Sequence, residues 1–499
     1  MQTNQPSQSS KGLSPADNRK VLVHTSVALV VYVLFQFIFP PFDPITRGGM
    51  GVLGIFLATM YLLFTNEGAA WPSFMAVGLI GMTNVAPASA ITQQSWGNVM
   101  IPFVCACLLL NYAMSETGLI YRFAIWFITR KFLKNRPWTL LFMFFFSLQL
   151  LGLVCTSSPI TVMYMSISEG IFETIGCKEK GDKFTSSVMM AVGWVAQGAQ
   201  AMTPISHTMI TMIFGFILHD FGVSISIAKF SLIFLAWGLV YFAGIWLVFR
   251  FVLKPDVSKL ANFDIDAVRA KLPPMGRRER MVGIVSIVLI LFWISPDLLA
   301  LIPALAGVAS YVLKMGQTIP ALVAVGLLCA LRADGVPVLD IKVGSSKIMW
   351  GTVYMMAALM CFGYVFDLES VGITMWMRGI IAPLTANLSA TAFVAAVIAF
   401  MLIATNFLSN AVCVMLYTVI VPMAGLIPGV NPLVIGLIIA STANADSLLT
   451  PASCPVSGLL AGSGWVKPSF MLKYSWILMV VAFLGYFFVG YPLATRIYG

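Results

Sequence analysis

Small hydroxyl and amide side chains interrupt the apolar sequence at four places where hydrocarbon-facing residues are expected. These interruptions lie at residues 156–159, 203–208, 404–411 and 450–455. An unwound stretch inside a membrane leaves unpaired N–H groups at one helix end, which attract anions, and unpaired carbonyl groups at the other end, which attract cations. Such a geometry can hold a carboxylate and Na⁺ side by side, so the interruptions are the part of the sequence that predicts chemistry.

The interruptions occur as two copies of one pattern. Ser157 aligns with Ser409 at a shift of 252 positions (409 − 157). Thr203 and Thr450, which both precede a proline, align at a shift of 247 (450 − 203). Two halves with two polar interruptions each indicate a transporter with internal repeats, whose site is formed by unwound backbone.

The composition places the chain in a membrane and argues against an enzyme. Of the 499 residues, 59% are hydrophobic and 10% are charged, which is too few charges to cover a soluble protein of this apolar content. The net charge of +10 falls in short loops, as the positive-inside rule expects, so no nucleic-acid partner is predicted. With three histidines and no HExxH or Gly-x-Ser-x-Gly motif, no catalytic residue is evident. No organic cofactor is expected either.

Apolar stretches divide the chain into two membrane-embedded halves with about 11 transmembrane helices, since about 20 residues cross a bilayer. We predict a cytoplasmic tail at 1–20, a first transmembrane half at 21–253, a cytoplasmic linker at 254–280 and a second transmembrane half at 281–499. Residues 298–314 fit either an extra crossing or a segment along the outer surface.

The positions of Lys and Arg predict how the interrupted stretches enter the membrane. Residues 138–176 have basic residues on both sides and are predicted to form a re-entrant hairpin from the cytoplasmic face. Residues 388–426 lack such flanks and are predicted to form a hairpin from the outer face, as an inverted repeat requires. We expect a bacterial-type plasma (inner) membrane protein with its N-terminus in the cytoplasm and its C-terminus outside.

The interruptions of the second half resemble a known family. Ser409-Asn410-Ala411 resembles the Ser-Asn-Thr hairpin motif of the divalent anion:sodium symporter family, which imports di- and tricarboxylates. The sequence around Ser453-Cys454-Pro455 is similar to that family's second unwound motif. The resemblance implies an all-α polytopic membrane protein with two inverted repeats of broken helices and re-entrant hairpins. It further implies an elevator-type transporter, assembled as a homodimer in the lipid bilayer, whose transport domain moves against a fixed scaffold.

The resemblance, together with the residues beside its motifs, also predicts the site. The residues expected to bind the substrate are Ser157, Ser158, His207, Thr208, Ser409, Asn410, Cys454 and Pro455. The residues expected to bind sodium are Ser206, Thr405, Leu408, Asn410 and Ser453, with Leu408 and Ser453 contributing carbonyl groups.

The first half departs from the family pattern, which leaves the coupling ion open. Ser158 and Pro159 stand where the family has Asn and Thr, and Leu153 stands where it has a serine. The charge of a histidine can change near physiological pH, so His207, together with Asp446, is a candidate proton carrier. The sequence thus predicts a sodium-coupled transporter of small di- or tricarboxylate-like anions. The alternatives are a sodium-independent or proton-coupled anion exchanger and, behind these, an anion channel.

Overall fold

The computed structural model describes residues 15–65, 71–177, 179–260, 265–270, 272–385, 388–445, 447–451 and 453–499. Within these ranges the protein is mainly α-helical. Its one two-stranded sheet is a short hairpin in which β1 (Arg332–Ala333) pairs antiparallel with β2 (Val336–Pro337). Asp334 and Gly335 form its turn with φ angles of 53° and 86°, the left-handed conformation that two-residue hairpins favour. The architecture is the all-α fold class that the sequence predicts.

The first half contains eleven of the described helices, and a twelfth lies in the linker. They are α1 (Pro15–Val33), α2 (Arg47–Thr65), α3 (Trp71–Met82), α4 (Ala88–Gln94), α5 (Met100–Glu116), α6 (Leu119–Ile128), α7 (Pro137–Leu151), α8 (Ser157–Thr174), α9 (Lys183–Gln200), α10 (Thr208–Phe221), α11 (Ile227–Leu247) and α12 (Ile265–Ala270).

The second half contains the remaining described helices. They are α13 (Arg277–Leu299), α14 (Ala306–Lys314), α15 (Thr318–Ala330), α16 (Ile341–Lys347), α17 (Trp350–Phe366), α18 (Ile373–Thr385), α19 (Ala390–Ala404), α20 (Asn410–Met415), α21 (Tyr417–Ala424), α22 (Pro432–Thr442), α23 (Pro455–Gly462), α24 (Pro468–Gly485) and α25 (Tyr491–Tyr498). Short π-helical segments extend α1, α11 and α24, and they cover Leu34–Ile38, Val248–Leu253 and Tyr486–Gly490.

Few of the helices could cross a bilayer unbroken. Among the described residues, four helices have the necessary length and apolar composition, namely Arg19–Ile38, Ile227–Leu253, Arg277–Leu299 and Pro468–Tyr498. Three helix pairs pass the same test only together, because they bend by 59° (α5 and α6), 73° (α14 and α15) and 71° (α16 and α17). The segment 298–314 therefore contains α14, the first helix of one bent pair. Broken helices are thus a general feature of this fold.

The chain divides into two compact units. One comprises residues 1–95 and 357–377, and within it α2 packs against α1 while Phe56 contacts Phe362 and Phe366. The other comprises residues 96–356 and 378–499. All four polar interruptions belong to this second, larger unit.

The larger unit is built around α9 and α22, the helices that lead into interruptions 203–208 and 450–455. Every residue of α9 from Phe184 to Gln200 is buried, as is every residue of α22 from Leu433 to Thr442. A helix that is buried on all sides is enclosed by other helices. The two interruptions that follow these helices therefore begin inside the protein and away from lipid.

Candidate functional site

A helix begins within each of the four interruptions. The first turn of a helix has N–H groups without an intrahelical partner and carries partial positive charge. The residues that begin these helices are Ser157 in α8, Thr208 in α10, Asn410 in α20 and Pro455 in α23. The polar residues that stand out in the sequence thus mark helix N-termini within the larger unit.

Helices that begin at interruptions pack across the two halves of the sequence. α8 contacts α23, and α10 contacts α20, so each pair joins one helix from each half. The ends of α9 and α22 are joined as well, because the Ser441 hydroxyl donates to the Ala201 carbonyl at 2.7 Å. The interruptions of one half are therefore supported by helices of the other.

The sequence repeat extends to individual hydrogen bonds. The Thr203 hydroxyl donates to the Leu153 carbonyl at 2.5 Å, and the equivalent Thr450 hydroxyl donates to the Asn406 carbonyl at 3.2 Å. In both halves a threonine thus joins the broken helix to the preceding hairpin. The serine three positions later donates to the carbonyl of that threonine: Ser206 at 3.3 Å and Ser453 at 2.8 Å.

The second half gathers oxygen atoms at its two interruptions. The Thr405 hydroxyl donates to the Ala443 carbonyl at 2.8 Å and lies 3.2 Å from Asn410 Oδ1. Asn410 Nδ2 lies 3.5 Å from Asn444 Oδ1. Thr405 and Asn444 are both fully buried, with 0% exposure. Hydroxyl, amide and carbonyl oxygens are the ligands that hard cations prefer, so this cluster has the composition of a cation site.

Of the residues predicted to bind sodium, Thr405 and Asn410 come together in this cluster. Leu408 lies in the same hairpin loop, where its N–H donates to the Ala404 carbonyl at 2.7 Å. The Ser453 hydroxyl donates to the Thr450 carbonyl, and it lies 3.1 Å from Ser457 Oγ in the first turn of α23. Ser206 belongs to the first half and is not part of the cluster.

Three residues in or beside the cluster were not predicted from the sequence, namely Ala443, Asn444 and Asn406. Ala443 and Asn444 belong to the cluster because α22 ends at Thr442, well before the Thr450-Pro451 signal. Asn406, fully buried, donates from Nδ2 to the Leu402 carbonyl at 2.8 Å and accepts from the Leu449 N–H at 3.0 Å. The signal for Asn406 was present, because an amide in an apolar stretch must find partners when it is buried.

The predicted substrate-binding residues of the hairpins lie at the starts of α8 and α20. Thr156 and Ser409 occupy the N-cap positions, and neither forms a side-chain cap with its own helix. The Thr156 N–H instead donates to Asn111 Oδ1 at 3.2 Å. The following first-turn N–H groups and the Ser157, Ser158 and Ser409 hydroxyls are therefore the groups that these helix ends offer to an anion.

His207 and Cys454 occupy equivalent N-cap positions, of α10 and α23. His207 Nδ1 accepts a hydrogen bond from the Met209 N–H at 3.2 Å. A ring nitrogen that accepts cannot carry the proton, so the imidazole is neutral here and its hydrogen is on Nε2. At Cys454 the backbone N–H donates to Ser457 Oγ at 3.1 Å. Thr208 and Pro455 follow as the first helical residues, and Asp446 lies outside the described residues.

The sequence model for the transmembrane region of sodium:sulfate symporters matches residues 20–492 of this chain. The chain belongs to the sodium:sulfate symporter family. This is the divalent anion:sodium symporter family that its hairpin motif resembles, so that prediction is confirmed. The membership indicates that the chain is an integral membrane transporter rather than an enzyme.

Relatives of this sodium:sulfate symporter family member were found by sequence and by structure. It is 22% identical over 491 residues to the sodium-dependent dicarboxylate transporter SdcS of Staphylococcus saprophyticus, covering 94% of this chain and 91% of the relative. Its structure is similar to that of MtrF of Neisseria gonorrhoeae, which represents a class of antimetabolite efflux pumps (TM-score 0.53, 15% identity, 96% and 95% coverage). It is also similar to the YdaH transporter of Alcanivorax borkumensis (TM-score 0.55, 13% identity, 91% and 98% coverage). At these identities the structural matches show the shared fold alone.

Proposed function

We propose that the protein is a secondary active transporter that moves small di- or tricarboxylate-like anions together with Na⁺. The observation that carries the proposal is the oxygen cluster of Thr405, Asn410, Ala443 and Asn444, which lies at the start of α20. A cation site and an anion-attracting helix N-terminus thus share one residue, Asn410. The sodium-dependent dicarboxylate transport named for the relative SdcS supports the same choice of ion and substrate.

The anion is proposed to lie between the starts of the four broken-helix segments. The Ser157, Ser158 and Ser409 hydroxyls, with the first-turn N–H groups of α8 and α20, would donate hydrogen bonds to its carboxylates. Asn410 would contribute its amide, and His207, Thr208, Cys454 and Pro455 would line the remaining sides. None of these groups carries a fixed positive charge, which suits a site that must release its anion as readily as it binds it.

The cation is proposed to bind where the second half collects its oxygens. Thr405 Oγ1 and Asn410 Oδ1 would coordinate Na⁺ through side chains, and Leu408 and Ser453 would contribute carbonyl groups. In a low-dielectric interior a bound cation offsets the desolvation cost of a neighbouring anion, and the anion does the same for the cation. Binding of one therefore favours binding of the other, which is the physical basis of symport.

We further propose an elevator-like movement of both hairpins against a fixed scaffold in a homodimer, with the N-terminus cytoplasmic and the C-terminus outside. Support comes from the packing of α8 on α23 and of α10 on α20, which ties both hairpins to the broken helices as one body. Lys and Arg in the 254–280 linker support its cytoplasmic placement.

Uptake measurements on the purified full-length protein in proteoliposomes test the proposed function. We expect radiolabelled succinate, as a dicarboxylate probe, to accumulate in sodium buffer and not in choline buffer. Sulfate provides a comparison anion without carboxylates. Equal uptake in the two buffers would contradict sodium coupling and favour the exchanger, and single-channel currents would identify a channel.

His207 provides a test of the alternative proton coupling. Asparagine can replace the Nδ1 acceptor that caps α10, but it lacks the Nε2 hydrogen that would reach the anion. We expect His207→Asn to raise the KM for succinate about tenfold, the effect of one hydrogen bond to a charged group. The uptake profile between about pH 6 and 8 should keep its shape, because the imidazole is already neutral.

The control for this prediction is His207→Ala, which removes the cap as well as the donor and should also lower the thermal stability. A pH profile that flattens in His207→Asn would contradict the expectation and would assign proton transfer to this residue.

A further inference from the structure

The loops that follow α9 and α22 are equivalent in position but differ in chemistry. Ala201 caps the C-terminal end of α9 and Ala443 caps that of α22, an offset of 242 (443 − 201). With this offset, the next residue is Met202 in the first half and Asn444 in the second. An amide that offers oxygen to a cation is thus matched by a thioether, which is a poor ligand for a hard cation.

The hairpins show the same difference. At the hairpin offset of 252 (409 − 157), Thr405 corresponds to Leu153 and Asn410 corresponds to Ser158. The hydroxyl that lies 2.8 Å from the Ala443 carbonyl therefore has an isobutyl group as its counterpart. Of the side-chain oxygens of the second-half cluster, the first half retains only the hydroxyl of Ser158.

Met202 of the first half is buried and tightly packed. Met202 is 1% exposed, its sulfur lies 3.2 Å from Gln149 Nε2, and its side chain packs so closely on Gly238 that a Cβ there would come within 1.9 Å of Met202 Cε. The Ala201 carbonyl accepts from Ser441, whose hydroxyl also lies 2.7 Å from the Tyr486 hydroxyl.

The Thr203 and Ser206 hydroxyls, in the interruption 203–208, are hydrogen-bonded to backbone carbonyls. Ser206 Oγ lies 3.4 Å from the Gln200 carbonyl and 3.3 Å from the Thr203 carbonyl, and Thr203 donates to Leu153. These bonds hold the end of α9 against the first hairpin. Thr450 and Ser453 make the same bonds in the second half, so the two halves differ in their side-chain ligands, at Leu153 and Met202, and not in these bonds.

We infer that the protein binds a single Na⁺ per transport cycle, at the Thr405–Asn410–Asn444 cluster, and that the interruption 203–208 of the first half binds none. The inference rests on the proposed function and adds a stoichiometry to it. A divalent anion with one Na⁺ carries a net charge of −1, so an inside-negative membrane potential opposes its uptake. A second cation is not needed for charge balance if the cargo is singly protonated, and the voltage dependence of uptake distinguishes the two forms of the cargo.

The stoichiometry can be measured on the full-length protein in two independent ways. Initial rates of succinate uptake into proteoliposomes should rise with sodium concentration with a Hill coefficient near one. Isothermal titration with NaCl, in the presence of succinate and with choline chloride as the blank, should give one site per chain. A Hill coefficient near two, or two titrated sites, would overturn the inference and leave sodium-coupled transport intact.

Paired variants separate this inference from the proposed function. Thr405→Val should abolish the heat of sodium binding, whereas Met202→Leu, at the end of α9 in the first half, should leave the number of sites and the sodium affinity unchanged. A changed site number in Met202→Leu would overturn the inference. Absence of both sodium binding and sodium-dependent uptake in a wild-type protein with a normal thermal transition would overturn the proposed function itself.

Discussion

Replacing Asn410 with alanine is expected to raise the sodium concentration for half-maximal uptake at least about tenfold. The Asn410 amide oxygen lies 3.2 Å from Thr405 Oγ1, and its nitrogen lies 3.5 Å from Asn444 Oδ1, so the substitution removes a ligand and loosens the other two. A hydrogen bond or ligand contact to a charged group contributes about 1.5–3 kcal/mol, which is a factor of about ten to one hundred and fifty. Sodium-dependent uptake into proteoliposomes measures the effect.

Asn431 offers a matched control for Asn410→Ala. It is an asparagine of the same half, but it caps α22 through the Leu433 N–H at 2.9 Å and donates to the Tyr498 carbonyl at 3.1 Å. Asn431→Ala should cost about 1 kcal/mol of stability, as the loss of an N-cap does, and should leave the sodium dependence unchanged. If both variants kept the wild-type sodium dependence, the cation would have to bind elsewhere.

Asn406→Leu is expected to lower both transport and stability, because Asn406 joins the second hairpin to the interruption 450–455. Its side chain accepts from the Leu449 N–H and donates to the Leu402 carbonyl, and its own carbonyl accepts from Thr450. Leucine has a similar volume, but it leaves the buried Leu449 N–H without its partner at a cost of about 1–3 kcal/mol. Intrinsic fluorescence during thermal unfolding in detergent, together with uptake, measures the two losses.

Thr450→Val is the control for Asn406→Leu and is expected to have a smaller effect. It removes the 3.2 Å hydrogen bond to the Asn406 carbonyl without leaving a buried N–H group unpaired, so its effect should be about 1 kcal/mol or less. Wild-type melting and uptake in Asn406→Leu would show that the two interruptions of this half are positioned independently of each other.

The sequence predicted the positions of the interruptions well, for a physical reason. Hydroxyl and amide groups in an apolar stretch are costly unless backbone or ligand groups satisfy them, so they mark unwound helix ends. All four helix starts at the interruptions fall at residues named from the sequence, namely Ser157, Thr208, Asn410 and Pro455. The family resemblance also grouped Thr405 with Asn410, and their side chains lie 3.2 Å apart across one hairpin loop.

The C-terminal ends of the broken helices were less predictable. The sequence from Ala443 to Leu449 contains no glycine or proline, so no local signal shows that α22 ends at Thr442. The chain leaves the helical path because a tertiary contact holds it, in which the Ser447 carbonyl accepts from the Trp194 ring N–H at 3.2 Å. The next residue, Leu448, has a left-handed φ of 61°. Contacts across such a sequence distance leave no pattern in a single chain. Asn444 was missed for this reason.

The crosswise contacts of α8 with α23 and of α10 with α20 have a consequence for leakage. Each hairpin packs on a helix from the opposite half, so in the proposed elevator-like movement a shift of one hairpin would carry the other with it. The anion and the cation would then move together in one site, formed by both hairpins and the helices that pack on them. Slippage, in which the ion runs down its gradient without the cargo, would require these interlocked helices to come apart.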